Sequence, residues 1–376
     1  MSTAGKPITC RAAVAWEKAK PFKIETVEVA PPKKGEVRVR VTSTGVCHSD
    51  LHILQGIDKS WYFPCILGHE GAGIVESVGE GVTSLAPGDT VVFCFESYCG
   101  ECSYCKNPKT NLCQKQPRNC FQIDGTSRIT CKGTPLGQMS SISTFSEYTV
   151  TWENNVTKVN PKANPNTLCL AGCCIPTGYG AAVKAAQVTP GSTCAIWGLG
   201  GVGMCVVMGC RDSGASKIIG VDVNPKKFEK AKEFGCTDFL NPKDVSDVPQ
   251  KLAEMTNGGV DYCFVSVGII SAMEEAFKSS HHAWGKTVII GLSDIGDTMR
   301  AGIWELLYGR SLIGTFYGSH KAKKEIPGLV DKVVNGQIQL DKLISHVIPL
   351  DDINKGYDML ERGESLRAVI DMDKKA

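Results

Sequence analysis

The sequence carries almost no net charge, since 41 Lys and Arg stand against 39 Asp and Glu, leaving a formal +2. A balance this even gives no global electrostatic reason to expect nucleic acid or an anionic membrane surface as a partner. No apolar run approaches the length of about 18 residues that spans a bilayer. An N-terminal hydrophobic stretch of the secretory kind is also missing, because Met1 to Cys10 is polar and runs into a strand-like segment. The expected location is therefore the cell interior, in the cytoplasm. Internal repeats and low-complexity tracts are absent, which excludes solenoids and disordered linkers.

Cysteine, by contrast, is abundant, with 18 in 376 residues. In a large chain without a secretory signal, that number points to reduced thiols and metal ligands rather than to disulfides. The length exceeds one ordinary hydrophobic core and predicts two domains. Apolar residues at 42% and charged residues at 21% fit a globular protein.

The first 170 or so residues read as mostly β. Segments 36–41, 73–78 and 90–95 cluster or alternate β-branched residues and are punctuated by Gly and Pro, which predicts a barrel-like domain. The texture changes after about Cys174. Strand patterns at 194–197, 217–222, 261–267 and 286–290 alternate with helical patterns at 202–213 and 226–234, which predicts a parallel α/β sheet. The last sixty residues mix a helix with strand-like segments at 343–350 and 366–372.

Cys99, Cys102, Cys105 and Cys113 form a C-x2-C-x2-C-x7-C pattern. Two-residue gaps turn successive thiolates onto one ion, and the fourth returns from a short loop to close a tetrahedron with Zn–S of about 2.3 Å. The bacterial iron–sulfur run has a shorter last gap and a following Pro, whereas here the gap is seven and Gln114 follows. A closed four-thiolate site is structural, with no open position for a substrate. Unligated thiols are the plain alternative.

Gly198, Gly200 and Gly203 form G-x-G-x-x-G with Leu199, Gly201 and Val202 between them, directly after an apolar strand and opening a helix. Asp222 ends the next strand, 19 positions after Gly203. That context is the dinucleotide fingerprint, in which the pyrophosphate sits at the helix N-terminus and the acid accepts from ribose hydroxyls. A carboxylate at Asp222 would repel a 2′-phosphate, so NAD is expected over NADP. A merely structural glycine turn is the competing reading.

Cys47, His48, Ser49, Asp50 and His52 crowd into six residues, and His69 and Glu70 follow inside a Gly-rich stretch. An open catalytic zinc needs three protein ligands. Cys47 and His69 are two candidates, and either Cys173 or Cys174 could be the third. Taken singly, each of these histidines is equally well a surface or core residue.

Together these pieces resemble the zinc-containing medium-chain alcohol dehydrogenases of the vertebrate type. The likeness covers essentially the whole chain. It runs through Gly45–Asp50, Gly68–Gly79, the four-cysteine lobe, Thr144–Val150, Thr177–Ala182 and the glycine loop with Asp222. The implied fold is α/β: a GroES-like β-barrel catalytic domain in two segments, 1–174 and 318–376, around a Rossmann domain at 175–317. The implied cofactors are two Zn2+ per subunit and NAD. Catalytic zinc would bind Cys47, His69 and Cys173, the last because it takes the Cys place in a Gly-Cys-Gly-x-x-Thr-Gly pattern, although Cys174 replaces the following Gly. Asp50 would orient His69, and Glu70 would lie behind the metal as a transient ligand. Ser49, the nicotinamide ribose and His52 would relay the proton, with His52 as a plain surface histidine the alternative. Coenzyme contacts would come from His48, Thr177, Val267, Leu292, Lys227 and Arg367. A homodimer joined through the coenzyme domains is implied as well.

The resemblance implies an alcohol or aldehyde as the substrate. The overall likeness is greatest to the glutathione-dependent formaldehyde dehydrogenase class, so S-(hydroxymethyl)glutathione is the alternative. That class's substrate determinants are altered: segment 113–124 is shortened, and Pro117 stands where an Arg would grip the glutathione carboxylate. Arg118 is the neighbouring substitute, or else a solvated surface charge. Phe95, Glu96, Met139, Ser140, Leu292 and Phe316 are candidate pocket positions, set against ordinary packing. Two readings compete from further away. One is a silent crystallin-like structural protein; the other is a zinc-free quinone or enoyl reductase, which would lack both zinc sites.

Overall fold

A computed structural model describes residues 3–56, 61–117 and 120–375. Its contacts divide the chain into two units, Met1–Cys173 with Lys321–Ala376, and Cys174–His320.

The first segment is built from β1 (Ile8–Ala15), β2 (Lys23–Val29), β3 (Glu36–Gly45), α1 (His48–Gln55), β4 (Cys65–Ile66), β5 (Gly71–Val78), β6 (Thr90–Phe93), α2 (Ser103–Lys106), β7 (Ile129–Cys131), β8 (Thr134–Pro135), β9 (Gly137–Gln138), β10 (Tyr148–Trp152), β11 (Val156–Lys158) and α3 (Pro165–Leu168). In β3 the alternating Val37, Val39 and Val41 are buried, as a half-buried strand requires. Arg38, on the face where alternation predicts solvent, is also fully buried. Its Nε donates to Glu76 Oε2 at 2.6 Å, and its other nitrogens reach the Lys6 and Thr3 carbonyls. The N-terminal residues thus cover an outer face of the sheet with a satisfied charge.

The helix α1 is not visible in the strand-like texture of this region. Cys47 caps it in extended conformation, Asp50 sits in its first turn, and Gly56 ends it at φ 73°. An acid near the N-terminus and a left-handed Gly at the C-terminus are ordinary stop and start chemistry. Leu51 and Leu54 bury its inner face.

The second unit contains α4 (Cys174–Gly180), β12 (Thr193–Trp197), α5 (Gly201–Asp212), β13 (Lys217–Val221), α6 (Phe228–Phe234), β14 (Asp238–Leu240), α7 (Val248–Met255), β15 (Tyr262–Val265), α8 (Ile270–Ser279), β16 (Lys286–Ile289), α9 (Ile303–Leu307) and β17 (Ser311–Gly314). The six strands are all parallel in the order β14-β13-β12-β15-β16-β17. This is the doubly wound arrangement, with its switch point between β12 and β15 at the glycine loop. Their interior is apolar from Ala195 and Trp197 through Val260 and Val265, the continuous hydrophobic pattern of strands covered on both faces.

The chain returns through α10 (Ala322–Val334), β18 (Ile344–Ile348), α11 (Ile353–Glu361) and β19 (Arg367–Asp371). Here β19 pairs antiparallel with β3 and parallel with β18, so the last residues complete a sheet begun by the first. No single helix among the described residues is long and apolar enough to cross a membrane.

Two candidate metal centres and a dinucleotide loop

The four-cysteine lobe closes on itself. One sulfur from each of Cys99, Cys102, Cys105 and Cys113 lies within 4.8 Å of the others. Cys99 Sγ and Cys105 Sγ are 3.8 Å apart. A tetrahedron with Zn–S of about 2.3 Å has an S···S edge of about 3.8 Å. A disulfide would need about 2.05 Å. Backbone N–H groups favour the thiolate form, since Cys102 N–H donates to Cys99 Sγ and Cys105 N–H to Cys102 Sγ. Burial pushes the Cys102 thiol up, but the N–H bonds from Cys105 and Gln114 outweigh it and bring the group to about 6. Burial pushes Cys113 up to about 12. Four thiolates this close cannot all ionise without a cation between them, so the donor set fits zinc.

Residues outside the motif hold the lobe. Glu96, expected beside the substrate, is instead buried and accepts the Cys113 N–H at 3.1 Å. Gln116 accepts the Ser97 N–H at 2.6 Å and donates to the Phe95 carbonyl. Lys321, from the returning segment, donates to the carbonyls of Cys105 and Asn107 at 2.6 and 2.8 Å. No sequence signal marks Lys321, which lies more than 200 positions away.

The second cluster gathers Cys47, His69, Glu70 and Cys173, all buried, with one ligand atom each within 4.8 Å of the others. Local geometry explains the gathering. A Cβ on Gly172 would stand 2.7 Å from the Phe93 carbonyl and 3.4 Å from the Glu70 Cα, so only Gly lets Cys173 approach the start of β5. Gly68, at φ 93°, turns His69 inward, and a Cβ there would strike Phe145. The structure thus brings Cys173 to Cys47 and His69. Cys174 lies elsewhere, with its sulfur 3.8 Å from Cys205.

Asp50, the acid in the first turn of α1, is completely buried. Its Oδ1 accepts the Gly68 N–H at 2.7 Å and its Oδ2 lies 3.0 Å from His69 Nδ1. That contact directs Nε2 toward the thiols, and Nε2 is buried with no hydrogen-bond partner among the described residues. This is the arrangement of a ligand imidazole with an orienting carboxylate. Phe95 stands edge-on to the His69 ring at 5.4 Å. The Cys173 hydrogen bond, with Arg367 and His69, holds the Cys47 thiol well below its ordinary value. Burial pulls the imidazole of His69 down, yet Asp50 and Cys47 hold it well above its usual range. Without a cation, thiolate and imidazolium pair through the ring proton, the place a divalent cation would take.

Arg367, at the start of β19, is buried with Nη2 3.4 Å from Glu70 Oε1. Its pairing with Glu70 has no signature in the sequence. On α1, His48 is exposed, and Ser49 and His52 are half-buried and three positions apart, hence on one helix face. Arg118 lies outside the described residues. Among the remaining pocket positions Met139 is core, whereas Leu292 and Phe316 are exposed.

The glycine loop has distinct requirements at each position. Gly198 adopts φ 91° with Val267 against it, and a Cβ on Gly203 would overlap the Gly198 carbonyl at 1.9 Å. Gly200 faces open space, as close approach of a pyrophosphate requires. Gly201 and Val202 begin α5. Asp222 turns onto this loop, accepting from Leu199 N–H and Asn224 N–H at 2.8 Å each, and Lys227 Nζ lies 3.1 Å from it. Thr177 is half-buried on α4.

Comparison with known proteins agrees with these features. The alcohol dehydrogenase GroES-like domain matches residues 33–161, and the zinc-binding dehydrogenase domain matches residues 201–335. Alcohol dehydrogenase class-3 of Drosophila melanogaster is 48% identical over 375 residues, covering 98% of this chain and 99% of the relative. Alcohol dehydrogenase class-3 of Myxine glutinosa is 49% identical over 374 residues, with the same coverage. Among solved structures, an alcohol dehydrogenase zinc-binding domain protein from Burkholderia ambifaria matches with TM-score 0.92 at 33% identity, covering 98% of this chain and 100% of that one. Benzyl alcohol dehydrogenase from Acinetobacter calcoaceticus matches with TM-score 0.90 at 31% identity, covering 97% and 99%. The chain belongs to the zinc-dependent medium-chain alcohol dehydrogenase family. It is an NAD-linked oxidoreductase with two zinc ions per subunit, a GroES-like domain and a Rossmann domain.

Proposed function

We propose that the chain oxidises alcohols reversibly to aldehydes or ketones at the cluster of Cys47, His69 and Cys173, and that the four-cysteine lobe is structural. The observation that carries this reading is the convergence of two thiols and an Asp50-oriented imidazole, buried together, with Glu70 behind them. Three protein ligands leave a fourth position for substrate.

Zinc supplies Lewis acidity that brings the alcohol hydroxyl toward neutral pKa, and the nicotinamide accepts the hydride. The chain's own residues then handle the proton and the charge. Ser49 takes the hydroxyl proton and His52 delivers it to solvent from the same helix face. Glu70, paired with Arg367, would be available as a transient ligand to the metal. Asp222 selects NAD by accepting from the ribose hydroxyls and repelling a 2′-phosphate, and Lys227, His48, Thr177, Val267, Leu292 and Arg367 complete the coenzyme contacts.

S-(hydroxymethyl)glutathione is a second substrate reading, supported by overall likeness to class-3 relatives. The buried role of Glu96 and the Pro at position 117 favour simple alcohols. We further infer a cytoplasmic homodimer joined through the second unit, without membrane or nucleic-acid partners. The edge strand β17 and the exposed apolar residues of α9 support that interface.

Cys47→Ser tests the site. The variant is expected to lose one of two zincs and all zinc-dependent NADH formation, while still binding NAD. Unchanged turnover would overturn the reading. A kinetic panel of short and long alcohols and hydroxymethylglutathione, run with NAD and with NADP, identifies the substrate.

A further inference from the structure

Tyr357 is an unexplained polar group beside the second cluster. It lies on α11, its side chain is buried, and its hydroxyl has no hydrogen-bond partner among the described residues. Buried phenolic hydroxyls are ordinarily paired, and each exception calls for a reason. A Phe would fill the same space without that cost.

Packing fixes where the ring stands. It stacks on Phe22 with centroids 5.4 Å apart and meets Phe145 edge-on at 6.3 Å. Phe145 in turn closes over Gly68, where even a Cβ would come within 2.7 Å of the Phe145 ring. The Gly68 N–H is the donor to Asp50 Oδ1. Tyr357 thus packs on Phe145, Phe145 lies against Gly68, and the Gly68 N–H binds Asp50. Burial first, and then the charges of Asp50, Cys47 and Glu70, hold the phenol well above its usual range, so it stays a neutral donor.

Asp50 has capacity to receive it. An ionised carboxylate accepts about four hydrogen bonds. Asp50 faces only the Gly68 N–H and the His69 ring among the described donors. A buried water with polar groups on both sides is a normal bridge between two buried groups.

We propose that Tyr357 is a positioning residue of the zinc site: its hydroxyl donates through one buried water to the Asp50 carboxylate and so holds the Asp50–His69 pair with Nε2 toward Cys47 and Cys173. The proposal rests on the reading of Cys47, His69 and Cys173 as zinc ligands. It extends the orienting carboxylate by one further layer, supplied by the returning segment of the chain.

Release of zinc to an excess of chelator, followed with a metallochromic dye, tests this on the full-length, zinc-loaded protein and its Tyr357→Phe variant. Two release phases are expected in the unaltered protein. In the variant, the phase that Cys47→Ser abolishes should quicken about tenfold, the lower end of the effect of removing groups behind a metal ligand. The phase belonging to the four-cysteine lobe should be unchanged. Combining Tyr357→Phe with Asp50→Asn should add nothing to Asp50→Asn alone, since both act through one carboxylate. Unchanged release in both phases would overturn the proposal, as would equal acceleration of both, which reports general loosening. If the unaltered protein holds a single zinc, in the four-cysteine lobe, the underlying ligand reading fails, and this inference fails with it.

Discussion

Packing and the proposed coenzyme specificity meet at Asp222. Its carboxylate accepts two backbone N–H groups and faces Lys227, so the turn after β13 and the glycine loop share a single buried charge. Asp222→Gly is expected to shift preference toward NADP by removing the repulsion of a 2′-phosphate. The ratio of kcat/KM for the two coenzymes measures it, and an unchanged ratio would remove Asp222 from the ribose site. The same residue also shows what a sequence discloses. Its place 19 positions beyond Gly203 is readable because a βαβ unit has nearly fixed dimensions. The choice between Cys173 and Cys174 is not readable from residue types, because it depends on Gly172 lying against Phe93 and Glu70, a contact made across the chain. Within the sequence, only the family resemblance points to Cys173. Tyr357 and Lys321 escape the sequence for the same reason, since their partners are remote.

At the scale of elements, alternation and glycine punctuation reveal the longer strands, and the observed bounds of β12, β13, β15 and β16 lie within two residues of the expected ones. The two-residue strands β4, β8 and β9 are too short to show a period. The helix α1 hides inside a cluster of reactive residues, although Gly56 and the Leu51–Leu54 spacing mark it. The element most dependent on metal is the lobe around α2, a four-residue helix with few apolar neighbours of its own. Cys113→Ser is expected to remove one zinc per chain and to make the segment between Cys99 and Cys113 the first site of proteolytic cleavage, because metal binding there is folding free energy. Elemental analysis and limited digestion check this. Retention of both zincs and full protease resistance would show that the lobe folds without a fourth sulfur.

For the whole molecule, the parallel sheet ends at β17 with an unpaired edge among the described strands. In and just after α9, Trp304 is 69% exposed and Leu307 68% exposed, along with Ile303 and Tyr308. Exposed apolar side chains and an open strand edge are hazards unless covered, and the homodimer proposed above would cover both in a closed two-fold assembly. The unaltered chain should sediment at twice its 40.4 kDa mass. Leu307→Asp should shift the population toward monomer at micromolar concentration, whereas an unchanged dimer would place the interface elsewhere.

Catalysis as proposed here turns on which sulfur completes the second metal centre. Zinc content and NADH formation measured together on Cys173→Ser and Cys174→Ser test this most directly. The structure predicts that Cys173→Ser holds one zinc and forms no NADH from alcohols, while Cys174→Ser holds two and turns over. Two zincs and full turnover in Cys173→Ser, or loss of both properties in Cys174→Ser alone, would contradict it.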